Sequence, residues 1–161
     1  MSHSFFLRLR VFFERHEVLA YLFLRVAFGL MLITHGLPKI LGTSHGSMAS
    51  PMAGSVNLIA NVLHLPAAPV IGWFIALLEG LGGLMLALGL LTRPLAAMVT
   101  VQMLVICWIL GPTFPWIDRG FEYPLMLAFV SFYLLMRGGG QMSLDARIWR
   151  KPRSVAPLPA I

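Results

Sequence analysis

The sequence predicts an all-α, polytopic membrane protein built as a bundle of four transmembrane helices. Of its 161 residues, 58% are hydrophobic and only 11% are charged, which is too apolar for a water-soluble domain of this length. Four apolar segments, each of roughly 17 to 25 residues, are long enough to cross a bilayer. These predicted spans are residues 18–41, 69–93, 95–111 and 121–136.

The positions of the basic residues predict the orientation of these spans. Nine of the twelve bases lie before the first span, between the second and third, or after the fourth. They are Arg8, Arg10, Arg15, Arg93, Arg137, Arg147, Arg150, Lys151 and Arg153. Only Lys39 and Arg119 lie in the other two connections, so the positive-inside rule predicts both termini in the cytoplasm. The net charge of +6 is therefore explained by topology, which predicts contact with lipid and not with nucleic acid.

Three regions follow from these assignments. Residues 1–17 form a basic amphipathic segment, residues 18–137 the four-helix membrane domain, and residues 138–161 a cytoplasmic tail. Phe5, Leu9 and Phe12 fall near one helical face, which predicts a short N-terminal interfacial helix, with a frayed basic leader as the alternative. In the tail, we expect a glycine break, a short helix capped by Ser143 and a loose proline-rich end.

The long external connection, residues 42–68, divides into two parts. Its first half, residues 42–55, is rich in glycine, serine and proline and is predicted to be an irregular loop. Val56, Ile59, Ala60 and Leu63 then predict a short amphipathic helix that stops before Pro66. The segment is either a lid over the outer mouth of the bundle or a surface loop without a role.

Glu79 lies near the middle of the second span, where an ionised carboxylate costs about 2.5 kcal/mol or more. It therefore needs a partner, and Arg25, His35 and Lys39 lie on one stripe of the first span at helical spacing. Helix rise places Glu79 at a depth between Arg25 and His35, and the sequence does not choose between them. Such a pair either fixes the helix register or forms part of a proton, redox or solute site.

A row of small residues on the second span predicts close helix packing beside Glu79. Such residues let two backbones approach each other in a membrane. The row consists of Gly72, Ala76, Gly80, Gly83 and Ala87. We therefore expect the first span to pack against this face.

Metal, haem and nucleotide cofactors are not expected. Cys107 is the only cysteine, which excludes an intramolecular disulfide and is interpreted as a packed thiol. His35 is the only one of the five histidines within a span, so a haem held between two helices lacks ligands. The only metal-binding arrangement that the sequence suggests is weak capture by His45 and His64 on the external connection.

Four short motifs occur in order along the chain. They are R-x9-HG-x2-K (Arg25, His35, Gly36, Lys39), E-x2-GG-x5-G-x3-R (Glu79, Gly82, Gly83, Gly89, Arg93), EYP (Glu122, Tyr123, Pro124) and G-x2-SLD (Gly140, Ser143, Leu144, Asp145). Together they resemble the DoxX family over about residues 24–145. The resemblance implies a four-helix protein of the bacterial or archaeal cytoplasmic membrane that acts as an oxidoreductase subunit. It extends to the membrane subunit of thiosulfate:quinone oxidoreductase, which implies quinone as a substrate.

Under that resemblance, His35 and Glu79 are expected to handle protons, and Lys39 or Arg25 to stabilise negative charge on the reduced quinone. Glu122, Trp73, Gln102 and Tyr123 are the expected substrate-binding residues. With no cysteine pair or redox cofactor of its own, the chain would need a partner oxidoreductase subunit or a substrate to supply electrons. The alternative is a small permease or a structural membrane subunit that docks a partner enzyme. A permease with only four spans favours a homodimer.

Overall fold

The structure, a computed structural model, describes residues 3–149. Its helices are α1 (His3–Leu41), α2 (Pro51–Asn57), α3 (Ala68–Leu88), α4 (Thr92–Leu110), α5 (Glu122–Arg137) and α6 (Leu144–Ile148). A π-helical turn, Leu58–Val62, continues α2, and a 3-10 turn, Trp116–Asp118, precedes α5. The all-α prediction is confirmed for the part of the chain that is described.

Three of the described helices are long and apolar enough to cross a membrane: Phe5–Leu41 within α1, Ala68–Leu88 and Thr92–Leu110. Their outward faces carry large apolar side chains, such as Phe23, Val70 and Trp108. Helix α5 has 16 residues, which corresponds to a length of about 24 Å. It falls below the length of the other three, so the fourth span stays a prediction.

Helix α1 runs without interruption from His3 to Leu41, and a separate interfacial helix at its start is not confirmed. Residues 3–28 contain no glycine or proline to end the helix before the membrane span begins. Arg10 and Glu14 form an exposed ion pair of 2.7 Å one turn apart on this segment. The N-terminal amphipathic segment is therefore the first part of a helix of 39 residues.

Helices α1 and α3 pack against each other through glycines, as the row of small residues predicted. Gly36 lies directly against the backbone of Gly80. A Cβ atom added at Gly83 would lie 2.8 Å from the carbonyl oxygen of Gly29. Gly72 lies against α2 instead, where a Cβ atom added to it would be 3.0 Å from Val56 Cγ2.

The core lies between α1, α3, α4 and α5. Leu32, Leu86, Val99 and Leu134 bring one fully buried side chain from each of these helices. Helices α4 and α5 are also joined by a hydrogen bond of 2.9 Å from Thr100 Oγ1 to Ser131 Oγ. This hydrogen bond adds a polar link to an otherwise apolar contact between the two helices.

The predicted second span, residues 69–93, is too long at its carboxyl end. Helix α3 ends at Leu88, and Gly89 follows with a φ of 72°. Its N–H donates to Leu86 O at 3.0 Å, and the N–H of Leu90 donates to Met85 O at 2.8 Å. Glycine is favoured in this left-handed conformation, which ends the helix. Arg93 therefore lies in the first turn of α4.

Residues 42–68, the connection predicted to be external, are more helical than expected. The irregular loop expected up to residue 55 is wrong from Pro51 onward, because α2 begins there with proline in its first turn. The predicted helix over residues 56–63 is found as the end of α2 and the π-helical turn. Pro51 and Ile59 are buried, so this segment packs on the bundle.

Candidate functional site

Glu79 is the centre of a polar contact among three helices. Its side chain lies in the interior and only 4% of the residue is exposed. Lys39 Nζ of α1 lies 2.5 Å from Glu79 Oε2. From α4, Gln102 Nε2 donates to Glu79 Oε1 at 2.6 Å. Both carboxylate oxygens are therefore engaged, and the buried negative charge is matched by a positive one.

The register of α1 on α3 explains why Lys39 is the partner. The contact of Gly36 with Gly80 places this turn of α1 beside Glu79. Lys39 is three residues after Gly36 and therefore lies on the same helical face. Helical side chains tilt towards the N-terminus of their helix, so the Lys39 stem extends back towards the carboxylate.

Arg25, one of the two partners favoured by the depth argument, does not reach Glu79. It lies beside Gly89, whose added Cβ would be 2.8 Å from the guanidinium. Gly89 is ten residues beyond Glu79, about 15 Å along α3. Helix rise alone gave the wrong depth for Glu79, because it does not include the register of α1 on α3.

Arg25 instead holds the segment that follows α5. Its guanidinium donates to the carbonyl oxygens of Gly139 and of Met142, the latter at 2.8 Å. The hydroxyl of Tyr21, one turn earlier in α1, donates to Gly138 O. Arg25 is only 2% exposed, so its charge is balanced by buried carbonyl dipoles. This geometry assigns Arg25 a structural role in the middle of α1, about 21 Å along the helix from Lys39.

The G-x2-SLD motif forms the remainder of this junction. Asp145 accepts hydrogen bonds from the backbone N–H groups of Leu91 and Thr92, at 2.8 and 2.9 Å, and so caps α4. Its own N–H donates to Gly89 O at 2.8 Å. Ser143 Oγ accepts from Ala146 N at 3.0 Å, which confirms the predicted cap of α6. The proline-rich end predicted to be loose lies outside the described residues.

His35, the other expected partner of Glu79, packs against the external connection. Its ring centre is 4.9 Å from that of His45, in an edge-to-face arrangement. His35 and His45 line a cavity that also contacts Lys39. His35 therefore lies beside the Glu79 site, whereas Lys39 and Gln102 are the side chains that contact the carboxylate.

A cavity of about 300 Å³ opens beside Glu79, between α3, α4 and the external connection. Lys39, Ser55, Glu79 and Gln102 supply its polar groups. The rest of the wall is apolar: Leu58, Ile59, Leu63, Leu65, Ile71, Phe74, Ile75, Leu78, Met98, Val101, Val105, Ile106 and Ile109. The arrangement can hold a flat apolar molecule with a polar edge directed at Lys39 and Glu79.

The structure separates the four expected substrate-binding residues. Gln102 lines the cavity, whereas Trp73, Tyr123 and Glu122 do not. Trp73 and Tyr123 are exposed on the surface, and Glu122 Oε2 accepts from Trp116 N at 3.1 Å.

No residue of the external connection was predicted to bind substrate. Leu58, Ile59, Leu63 and Leu65 from this segment contribute to the cavity wall. The apolar spacing over residues 56–63 was the available signal. It predicted a short amphipathic helix but did not distinguish a lid from a surface loop.

Comparison with known proteins gives two matches. The family model for DoxX matches residues 20–112, which include Lys39, Glu79 and Gln102. A protein of Haemophilus influenzae (strain ATCC 51907 / DSM 11121 / KW20 / Rd), described as an uncharacterized protein, is 27% identical over 143 residues. That alignment covers 86% of this chain and 97% of the relative. No solved structure matches the chain.

Proposed function

Because the chain belongs to the DoxX family and has apolar helices that make it a multi-pass membrane protein, we propose that it is the quinone-binding component of an oxidoreductase. The proposed location is the cytoplasmic membrane of a bacterium or archaeon. The cavity beside Glu79 is the proposed binding site.

The observation that carries this proposal is the pairing of an apolar cavity with a charged, hydrogen-bonding end. The volume of about 300 Å³ is at the lower end of the range for small-molecule sites, about 300–1,000 Å³. A quinone head group is a flat ring with carbonyl oxygens at its edge and an apolar tail. The ring suits the walls formed by α3 and α4, and the carbonyl oxygens suit the Lys39 donor.

Lys39 is the proposed hydrogen-bond donor to a quinone oxygen. An ammonium group has three donors, and one of them is directed at Glu79 Oε2. The others are available to a ligand, and the positive charge would stabilise negative charge on the reduced oxygen.

Glu79 and Gln102 complete the proposed site. A carboxylate in hydrogen-bond contact with the donor can accept and return a proton during reduction. Gln102 Nε2 holds the carboxylate in place, and Gln102 Oε1 is buried without a hydrogen-bond partner within residues 3–149. That oxygen can accept a hydrogen bond from the hydroxyl of a quinol.

Reduction of quinone to quinol consumes two electrons and two protons. The single cysteine cannot form an intramolecular pair, so we propose that electrons come from a partner oxidoreductase subunit or from a reduced substrate. The protons enter through Glu79. The proposed role of this chain is thus to bind the quinone and to handle its protons and charge.

Four spans with both termini in the cytoplasm complete the proposal. Helix α5 packs along α4 and carries exposed apolar side chains such as Phe129 and Met126, which supports a place in lipid. Reporter fusions after residues 41, 91, 120 and 161 test this topology. We expect cytoplasmic activity at 91 and 161 and external activity at 41 and 120. Fusions at 120 and 161 that report the same side would contradict the fourth span.

Quinone binding to purified protein tests the function. Ubiquinone and menaquinone are titrated by isothermal calorimetry in detergent against wild type, Glu79→Gln and Gln102→Leu. We expect saturable binding of at least one quinone by wild type, and at least tenfold weaker binding by both variants. Glu122→Gln is the matched control, because this carboxylate lies outside the cavity.

Two results would overturn the proposal. One is the absence of quinone binding by folded wild-type protein. The other is equal affinity in wild type, Glu79→Gln and Gln102→Leu. In either case, solute flux in proteoliposomes and capture of a soluble enzyme would be the next measurements, for the permease and the docking subunit respectively.

A further inference from the structure

A second cavity, of about 390 Å³, lies between the end of α1 and the external connection. His35, His45 and Met48 are among its lining residues. It is adjacent to the proposed quinone cavity and shares Lys39, Ser55 and Leu58 with it. Two imidazoles and a thioether around one space are three groups that can bind a metal ion.

The backbone holds His45 and Met48 as neighbours. His45 N donates to Met48 O, and Met48 N donates to His45 O, each at 3.0 Å. The two residues therefore form an antiparallel bridge across a tight turn. Residues paired in this way direct their side chains to the same face, and both side chains line the cavity.

His35 and His45 are spaced suitably for a shared metal ion. A metal about 2.0 Å from one nitrogen of each ring would lie roughly 3.2 Å from each ring centre. The ring centres are 4.9 Å apart, so the angle at the metal would be roughly 100°, close to tetrahedral. Met48 is about half exposed, which gives an ion a path into the site.

The lining residues favour a soft, singly charged ion. The cavity lining contains no carboxylate and includes Lys39, whose positive charge disfavours a divalent cation more than a monovalent one. Within residues 3–149, histidine, cysteine and carboxylate groups do not cluster in threes, so the third ligand must be of another type. A thioether with imidazoles selects Cu(I).

We propose that His35, His45 and Met48 form a Cu(I) site. This proposal differs from the sequence-based expectation of no metal and from the pairing of His45 with His64. His64 does not line the cavity. The proposal does not depend on quinone binding, because its ligands lie outside the quinone cavity.

Competition with the chelator bicinchoninate under anaerobic, reducing conditions tests the site. The full chain in detergent is compared with His35→Gln, His45→Asn and Met48→Leu. We expect wild type to bind one Cu(I) per chain and each variant to bind it at least tenfold more weakly. X-ray absorption should show a copper–sulfur contribution in wild type that is lost in Met48→Leu.

His64→Asn and Met142→Leu are the matched controls, since both residues are exposed and lie away from the cavity. Binding by His45→Asn and Met48→Leu equal to that of wild type would overturn the proposal. So would Zn(II) binding as tight as Cu(I) binding and insensitive to Met48→Leu. If His35→Gln fails to fold, copper binding by His45→Asn and Met48→Leu still tests the site, because both residues lie in a surface turn where substitutions are tolerated.

Discussion

Gly36 of α1 lies directly against Gly80 of α3, with no side chain between the two backbones. This contact sets the register that brings the Lys39 ammonium to 2.5 Å from the Glu79 carboxylate. The small-residue packing and the buried ion pair are therefore coupled, because moving α1 along α3 by one turn would separate the charges by about 5 Å.

Substitution of Gly36 by alanine should destabilise the bundle. The added methyl group would overlap the backbone of Gly80, which cannot rotate away as a side chain can. We expect a loss of about 2 kcal/mol or more, measured as a lower thermal unfolding midpoint in detergent. Gly111→Ala is the control, since a Cβ there meets nothing closer than 3.6 Å. Equal midpoints for the two variants would contradict the proposed register.

Removing only the positive partner of Glu79 should cost more than removing both charges. The side chains of Lys39 and Glu79 are only 14% and 5% exposed. Lys39→Met leaves a buried carboxylate without its counter-ion, and we expect a loss of about 3 kcal/mol. The double variant Lys39→Met/Glu79→Leu should recover part of the lost free energy of unfolding. A double-mutant cycle measures this coupling.

The exposed pair of Arg10 and Glu14 is the comparison for this experiment, because water already solvates both side chains. Arg10→Met should leave the unfolding midpoint unchanged. If Lys39→Met also leaves the unfolding midpoint unchanged, the ion pair of Lys39 with Glu79 does not stabilise the bundle.

Arg25→Gln should loosen the segment that follows α5. The variant loses charged hydrogen bonds to the carbonyls of Gly139 and Met142, each typically worth about 1.5–3 kcal/mol. We expect amide hydrogen exchange at Asp145 and Ala146 to accelerate at least tenfold, as followed by mass spectrometry. Arg8→Gln, at an exposed position, should leave it unchanged. Unaltered exchange in Arg25→Gln would refute the structural role of this arginine.

Asp145→Asn should weaken the start of α4. The aspartate accepts from two backbone N–H groups, those of Leu91 and Thr92. An asparagine has one carbonyl oxygen and no charge to interact with the helix dipole. We expect a loss of about 1 kcal/mol in the free energy of unfolding. Asp118→Asn, in the exposed turn before α5, serves as control, and an equal effect of both changes would argue against a specific cap.

Two features of this structure were predicted correctly from the local sequence pattern. The stripe of α1 on which Arg25 lies faces the bundle, as its helical spacing predicted, and Phe28 and Leu32 on the same stripe are buried with it. Ser143 caps α6 as expected. These features depend on residues within a few turns of one another, so helical periodicity is sufficient to place them.

The sequence by itself determined that Glu79 would be buried in an apolar helix and would need a basic partner. It also placed Lys39 among the candidates. Only the tertiary structure decided that Lys39 and Gln102 contact Glu79, while Arg25 binds Gly139 and Met142 and His35 packs on His45. Periodicity shows which face a side chain occupies, but not how far one helix is shifted along another. That shift depends on backbone contacts between residues distant in sequence, such as Gly36 and Gly80.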